Sequence, residues 1–168
     1  MIETQDAPGE VTAIGEALQV VFHRHYAKPI EKVWAAITMP ERLADWLADA
    51  EIEMKPGGKI RLNWNNGAHG MEGRVLVCEP PSAFAWTWTL DDRETVVRFD
   101  LKPDADGCWL TLTHSGLSKT AGQGAGVRSG WHAHLEGLPD AIDGRKTAWA
   151  TKTARQEAIK GLYPALPA

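Results

Sequence analysis

The sequence predicts an α+β domain in which a curved antiparallel sheet of about six to seven strands wraps around a long C-terminal helix. Two short helices are expected after the first strand. Three observations lead to this fold class. Short segments of alternating apolar and polar residues are separated by turn residues, which is typical of an antiparallel meander. Proline-led segments with helical spacing follow the first strand, and an apolar stripe near the end predicts a helix that covers the apolar face of the sheet.

The first strand and the two short helices are predicted over residues 16–47. Residues 16–27 are rich in β-branched and aromatic side chains, as strands are. Pro29 suits the first turn of a helix whose apolar positions are Ile30, Val33, Trp34 and Ile37. Thr38 can cap a second helix that starts at Pro40 and turns its apolar face inward through Leu43, Trp46 and Leu47.

The remaining strands are short and alternate with period two. They are predicted at residues 50–54, 59–65, 71–78, 84–90, 97–101 and 109–114. Turn residues such as Pro56-Gly57-Gly58 and Asn65-Asn66-Gly67 separate them, so neighbouring strands are expected to form hairpins. Residues 115–126 are rich in glycine and serine and predict a loop.

The last helix is predicted from apolar residues at spacings of three and four, namely Trp131, Leu135, Leu138 and Ile142. Pro139 inside it predicts a kink or a restart, and Gly144 predicts its end. The domain organisation follows: a flexible N-terminal segment over 1–15, one domain over 16–145 and a C-terminal extension over 146–168. Trp149 in the extension could pack on its own domain or on a second copy, which leaves a homodimer open.

Composition excludes several classes of protein. The net charge is −4 and no basic cluster is present, so a nucleic-acid partner is not expected. No apolar run is long enough for a membrane span, and the N-terminus lacks the features of a signal peptide. Cys78 and Cys108 have no metal-finger spacing and are interpreted as reduced packing residues. We therefore expect a cytoplasmic protein.

The eight tryptophans favour a pocket for a small molecule. Several lie on strands at positions of one parity, which predicts an aromatic interior between the sheet and the last helix. The predicted ligand-binding residues are Ile60, Leu62, Trp64, Phe84, Trp86, Trp88, Phe99, Leu112, His114, Trp131 and Leu135. The alternative is that the same side chains form a tightly packed core without a cavity.

Motifs for catalysis, metals and cofactors are sparse. His114 continues the inward parity of its strand and could bond a ligand, act as an acid–base or be a satisfied structural histidine. His23 and His25 share one face of a strand but lack a third ligand, so an edge pair is favoured over a metal site. His132 and His134 point about 200° apart on a helix, so at most one can face the pocket. No cofactor or metal is expected, and the catalytic residues stay unknown.

The motifs together resemble the START-like superfamily, and within it the family of heat-shock-protein-90 ATPase activator homologues. The resemblance covers residues 18–143 and rests on the order of the motifs. They are Arg24 to Trp34 around Pro29, Thr38 to Glu41 followed by Trp46, Pro56 to Lys59, Gly73 to Pro81 followed by Thr87-Trp88, Leu110 to Leu117, and Gly130-Trp131 with Leu135 and Leu138.

The resemblance implies the helix-grip fold, with a cavity between the sheet and the final helix, but it does not imply one activity. The leading hypothesis is binding of a small hydrophobic or aromatic molecule in that cavity. A second hypothesis is a module that regulates a chaperone ATPase, with the chaperone as partner. A third is an enzyme of the cyclase or hydrolase kind in which His114 is the acid–base.

Overall fold

The structure is a computed structural model that describes residues 7–64, 69–90, 92–119, 123–146, 154–155 and 157–159. Within these residues it contains eight strands and three helices. The strands are β1 Glu10–Ile14, β2 Ala17–Tyr26, β3 Asp49–Ile52, β4 Lys59–Trp64, β5 His69–Glu79, β6 Ala83–Leu90, β7 Arg93–Asp104 and β8 Gly107–Ser118. The helices are α1 Ile30–Thr38, α2 Pro40–Trp46 and α3 Gln123–Ile142.

All strands belong to one antiparallel sheet in the order β1-β2-β8-β7-β6-β5-β4-β3. Helix α3 contacts β2 and β8 on the sheet and both short helices. The predicted α+β class, the antiparallel sheet and the long C-terminal helix are therefore confirmed. The strand number is eight, slightly more than the six to seven expected.

Strand β1 accounts for the extra strand. We expected residues 1–15 to form a flexible segment, but Glu10–Ile14 pair with β2 in a tight hairpin in which Ile14 lies opposite Ala17. Gly15 sits in the turn at φ 60°, a conformation that costs glycine little. The strand is short and largely exposed, so it is stabilised mainly by pairing with β2 and less by burial of its own apolar side chains.

The connection between β8 and α3 is shorter than predicted. Residues 115–118 extend β8, with Leu117 opposite Leu18 and Ser118 opposite Ala17, and α3 already begins at Gln123. Helix α3 also continues through Pro139 to Ile142 without a restart. Gly144 then follows at φ 81°, as expected for a residue beyond a helix end.

The described pairing of β5 changes from β4 to β6 between Arg74 and Val75, just after Gly73. Residues 69–74 pair with β4, whereas the described register with β6 begins only at Val75 opposite Trp86. A Cβ at residue 73 would lie 2.2 Å from the Thr87 carbonyl oxygen, so glycine is required where the two strands meet. The ends of β4 and β6 beyond this crossing border the cleft described below.

The described residues of the C-terminal extension, 154–155 and 157–159, pack against α3. Ile159 is 1% exposed and forms a small buried cluster with Ala133. The Arg155 guanidinium donates two hydrogen bonds to the Glu136 carboxylate, at 2.8 and 3.0 Å. Trp149 lies outside the described residues, so its packing and the homodimer stay predictions.

Replacing Ile159 by alanine is expected to lower the free energy of unfolding by about 2–3 kcal/mol, because it removes the apolar contact that holds the extension on α3. Urea unfolding measures the change. The control Arg155→Gln breaks the exposed ion pair with Glu136 and should cost less than about 1 kcal/mol. Equal stability of Ile159→Ala and the wild type would show that the extension does not hold to α3 in solution.

Candidate functional site

The interior beneath the middle of the sheet is filled by aromatic side chains. Trp86 stacks on Phe99 with ring centroids 5.6 Å apart, and Trp46 from α2 meets Phe99 edge-on at 6.3 Å. The Trp46 indole N–H donates to the Ala36 carbonyl at 2.8 Å, which fixes this ring below the sheet. The space that the sequence predicted as a cavity is therefore mostly a packed core.

The predicted ligand-binding residues divide into two groups. Seven of the eleven are between 0% and 2% exposed and belong to the main core: Ile60, Leu62, Phe84, Trp86, Phe99, Leu112 and Leu135. The other four, Trp64, Trp88, His114 and Trp131, line a cleft of about 420 Å³ that opens to solvent. The structure thus moves the candidate site from the centre of the fold to one end of it.

We call this space the aromatic cleft. It lies between the ends of β4, β5 and β6, strand β8 and the N-terminal half of α3. Its lining consists of Trp64, His69, Trp88, Leu90, His114, Gly126, Val127, Gly130, Trp131 and His134. No Asp, Glu, Lys or Arg is among these lining residues, so the walls carry no fixed charge in the part of the chain that the structure describes.

Three indoles form the walls of the aromatic cleft. Trp64 and Trp88 lie 5.4 Å apart with their planes tilted by 33°, and both side chains are half-buried. Trp131 stands edge-on to Trp88, at 5.5 Å and 73°. Such offset and edge-on arrangements are the favourable ones for aromatic rings, and they present flat π surfaces to a bound molecule.

Two glycines, Gly126 and Gly130, leave room on the side of the aromatic cleft that α3 forms. Gly126, Val127, Gly130, Trp131 and His134 share one helix face. A Cβ at Gly126 would have no atom within 4 Å, so the space beside this residue is open. A bulky side chain there would occupy the cleft.

Sequence reasoning missed six lining residues: His69, Leu90, Gly126, Val127, Gly130 and His134. A signal existed for three of them. Leu90 continues the inward alternation of Trp86 and Trp88, and Val127 and His134 lie four residues before and three residues after Trp131, which is helical spacing. His69 is the first residue of β5, and the sequence pattern assigns it no parity.

His114 is fully hydrogen-bonded. Its Nδ1 accepts the Trp131 indole N–H at 3.0 Å, and its Nε2 lies 2.7 Å from the Thr95 hydroxyl oxygen. An indole N–H only donates, so Nδ1 has no proton and the neutral ring carries its hydrogen on Nε2. The Thr95 hydroxyl in turn donates to the Trp88 carbonyl at 2.5 Å.

This arrangement gives His114 a structural role. The ring is 1% exposed, and burial lowers the pKa of His114 to about 3. A neutral histidine whose two nitrogens are both engaged does not exchange protons with a substrate near neutral pH. The geometry therefore argues against the hypothesis that His114 is an acid–base catalyst.

His132 and His134 face opposite sides of α3, as the helical spacing required. His134 lines the aromatic cleft and donates its Nδ1–H to the Trp46 carbonyl at 3.1 Å. His132 is buried on the other side, where its ring meets Phe22 edge-on at 6.3 Å. The two rings therefore cannot share one ligand.

A family model with the description "Activator of Hsp90 ATPase homolog 1-like protein" matches residues 27–143. The chain belongs to this family. All residues of the aromatic cleft lie within the matched segment, whereas β1 and the Arg155–Ile159 packing lie outside it. The family resemblance seen in the sequence motifs is confirmed.

Solved structures of other proteins share the fold. Protein MLL2253 from Mesorhizobium loti is 28% identical with a TM-score of 0.70, over 74% of this chain and 96% of that chain. CalU16 from Micromonospora echinospora is 25% identical with a TM-score of 0.68, over 92% of this chain and 95% of that chain. DynU16, described as a protein in the dynemicin biosynthetic locus, is 23% identical with a TM-score of 0.67, over 75% of this chain and 47% of that chain. Comparison with curated proteins found no match.

A larger groove of about 580 Å³ lies on the outer face of the sheet, where charged residues of β3, β4 and β5 face outward. Its charges pair with one another: Arg61 lies 2.6 Å from Glu72, and Arg74 lies 3.7 Å from Glu94. Four glutamates and three basic residues line this groove, so its charges nearly balance. The smaller aromatic cleft is therefore the better candidate site.

The outer face also holds His23 and His25. His23 Nδ1 lies 3.1 Å from the Thr111 hydroxyl, and His25 Nε2 lies 2.9 Å from the Asp104 carboxylate. Across the residues that the structure describes, no group of three potential ligands is placed to hold a metal ion. No helix in the same residues is long and apolar enough to cross a membrane.

Proposed function

We propose that the protein binds one small, uncharged, apolar or aromatic molecule in the aromatic cleft. The observation that carries the proposal is the combination of a volume of about 420 Å³ with walls of indole rings and no formally charged lining residue. Binding sites for small molecules typically span about 300–1,000 Å³ and are mostly apolar, with few polar groups. An ionic ligand would lose its hydration in this cleft without gaining a counter-charge.

Affinity would come from apolar burial and from contacts between rings. Trp64 and Trp88 are half-buried, so they still expose surface that a ligand would remove from water. Each favourable aromatic pair contributes about 0.5–1.5 kcal/mol beyond the area it buries. His69 is a polar side chain of the lining that could orient a ligand. Both nitrogens of His114 and Nδ1 of His134 are engaged in hydrogen bonds within the protein.

The two alternative functions have less support. The family description names an ATPase activator, which keeps chaperone regulation as a second hypothesis. Among the residues that the structure describes, the large apolar side chains that are exposed come from separate segments of the chain: Ile14, Met39, Met54, Leu76 and Trp109. The geometry of the His114 ring argues against an enzyme that depends on it.

A protein of the dynemicin biosynthetic locus shares the fold, which agrees with the proposal that this protein binds a small molecule.

Filling the aromatic cleft should block binding. We expect Gly126→Phe to fold, because nothing lies within 4 Å of the added Cβ, and to weaken binding of the neutral dye N-phenylnaphthylamine by roughly tenfold or more. Dye fluorescence and tryptophan quenching measure the affinity. In the wild type the dye should brighten as it leaves water.

The matched control is Gly126→Ala. It places a small group at the same helix position and should raise stability by about 0.5–1 kcal/mol while dye binding stays close to that of the wild type. A wild type that changes neither the emission nor the melting temperature with any compound of an apolar panel would contradict the proposal. Action in the cytoplasm is part of the same proposal and rests on the sequence alone.

A further inference from the structure

Three hydrogen bonds form a relay behind the wall of the aromatic cleft. The Trp131 indole donates to His114 Nδ1 at 3.0 Å, His114 Nε2 donates to the Thr95 hydroxyl at 2.7 Å, and that hydroxyl donates to the Trp88 carbonyl at 2.5 Å. The relay joins α3, β8, β7 and β6 in one continuous path. Thr95 and His114 are each 1% exposed, so water does not compete for these bonds.

The direction of the relay is fixed at both ends. An indole N–H can only donate, and a backbone carbonyl can only accept. His114 and Thr95, which can each do both, must therefore orient in the one sense that satisfies both ends. Other arrangements leave a buried polar group unpaired, which is costly for side chains that are 1% exposed.

The two ends of the relay are the walls of the aromatic cleft. Trp131 and Trp88 meet edge-on at 5.5 Å and 73°, and the relay ties the side chain of one to the backbone of the other. Thr95 itself is not a lining residue. Any effect of Thr95 on binding must therefore pass through His114, Trp131 or Trp88.

We propose that Thr95 and His114 are positioning residues that hold Trp131 edge-on to Trp88 and thereby determine which ring systems the aromatic cleft accepts. The proposal rests on the proposed function for the ligand, but the relay itself can be tested without one. Neither residue needs to form a hydrogen bond with the ligand. Their function is to keep the indole of Trp131 in one orientation.

The test in the presence of a ligand compares two replacements of Thr95. Thr95→Val keeps the shape and removes the hydroxyl, so it should weaken binding of N-phenylnaphthylamine about tenfold and alter the near-UV circular dichroism of the tryptophans. Thr95→Ser keeps the hydroxyl and should restore both towards the wild type. A folded Thr95→Val protein with the affinity of the wild type would overturn the proposal.

The test without a ligand is nitrogen NMR of the His114 ring in the wild-type protein. We expect an unprotonated Nδ1 and a protonated Nε2 that do not change between about pH 5 and 8, unlike an ordinary histidine. A ring that titrates in this range, or that carries its proton on Nδ1, would overturn the relay even if the dye binds. A wild type that binds no dye but shows the expected ring would instead reject the proposed function.

Discussion

Replacing Trp131 by alanine should abolish binding of an apolar dye and lower the free energy of unfolding by about 3–5 kcal/mol. Trp131 is 4% exposed, and its ring contacts Trp88, Phe99 and His114 at centroid distances of 5.5, 6.1 and 6.3 Å. The substitution removes one wall of the aromatic cleft and leaves a void beneath α3. Loss of the indole also leaves His114 Nδ1 without its donor.

The matched control for this prediction is Trp109→Ala on the outer face of the sheet. Trp109 is 38% exposed and packs on His25 at 4.9 Å, far from the aromatic cleft along strand β8. Its removal should cost less than about 1 kcal/mol and leave dye binding unchanged. Urea unfolding measures the stability of both variants, and a dye titration measures their affinity. A Trp131→Ala protein that keeps the wild-type affinity would show that the dye binds elsewhere.

The fold was predictable because its two periodicities are strong. The strands of the meander alternate clearly, and the apolar residues of α3 recur at helical spacing, so the sheet and its covering helix follow from the sequence. Strand β1 was missed because five largely exposed residues carry little apolar pattern. The pairing with β2 stabilises that strand, and pairing is a property of the folded chain.

The candidate site was only partly predictable because strand parity reports direction and not depth. Ile60, Trp86 and Leu112 point inward as expected, but they lie in the core with exposures of 2%, 1% and 0%. The space beneath the sheet is filled by packed side chains, among them Trp46, which α2 brings against Phe99. The position of α2 depends on packing between segments that are distant in the sequence, and no local sequence pattern predicts that position.

Acid should destabilise this protein through His114. The structure lowers the pKa of His114 to about 3, because the buried ring cannot be hydrated when it is charged. An unfolded histidine has a pKa of about 6.5. Below that value the unfolded chain takes up a proton that the folded protein refuses, so stability is full above about pH 6.5 and is lost as the pH falls towards 3.

The size of the effect follows from the same linkage. Well below pH 6.5 each pH unit should cost about 1.4 kcal/mol, and because the slope is only half as steep at pH 6.5 itself, the loss between pH 6.5 and 4.5 is about 2.3 kcal/mol. That window also separates His114 from the carboxylates. Asp104, bonded to His25, and Asp143, bonded to Lys28, have lowered pKa values, so their own contributions are lost only at more acidic pH.

Urea unfolding of the wild type and of His114→Phe across this window tests the prediction. The variant keeps an aromatic ring but loses the hydrogen bonds of His114, so its free energy of unfolding should be lower near pH 7. It has nothing to protonate at this position, so this free energy should fall less steeply towards pH 4.5. His23→Phe, which removes an exposed histidine from the outer face, should keep the steep acid-side loss. If the free energies of unfolding of the wild type and His114→Phe fell in parallel with pH, His114 would have to be protonated in the folded protein. That outcome would contradict the structure, because His114 Nδ1 accepts the hydrogen bond from the Trp131 indole and so carries no proton.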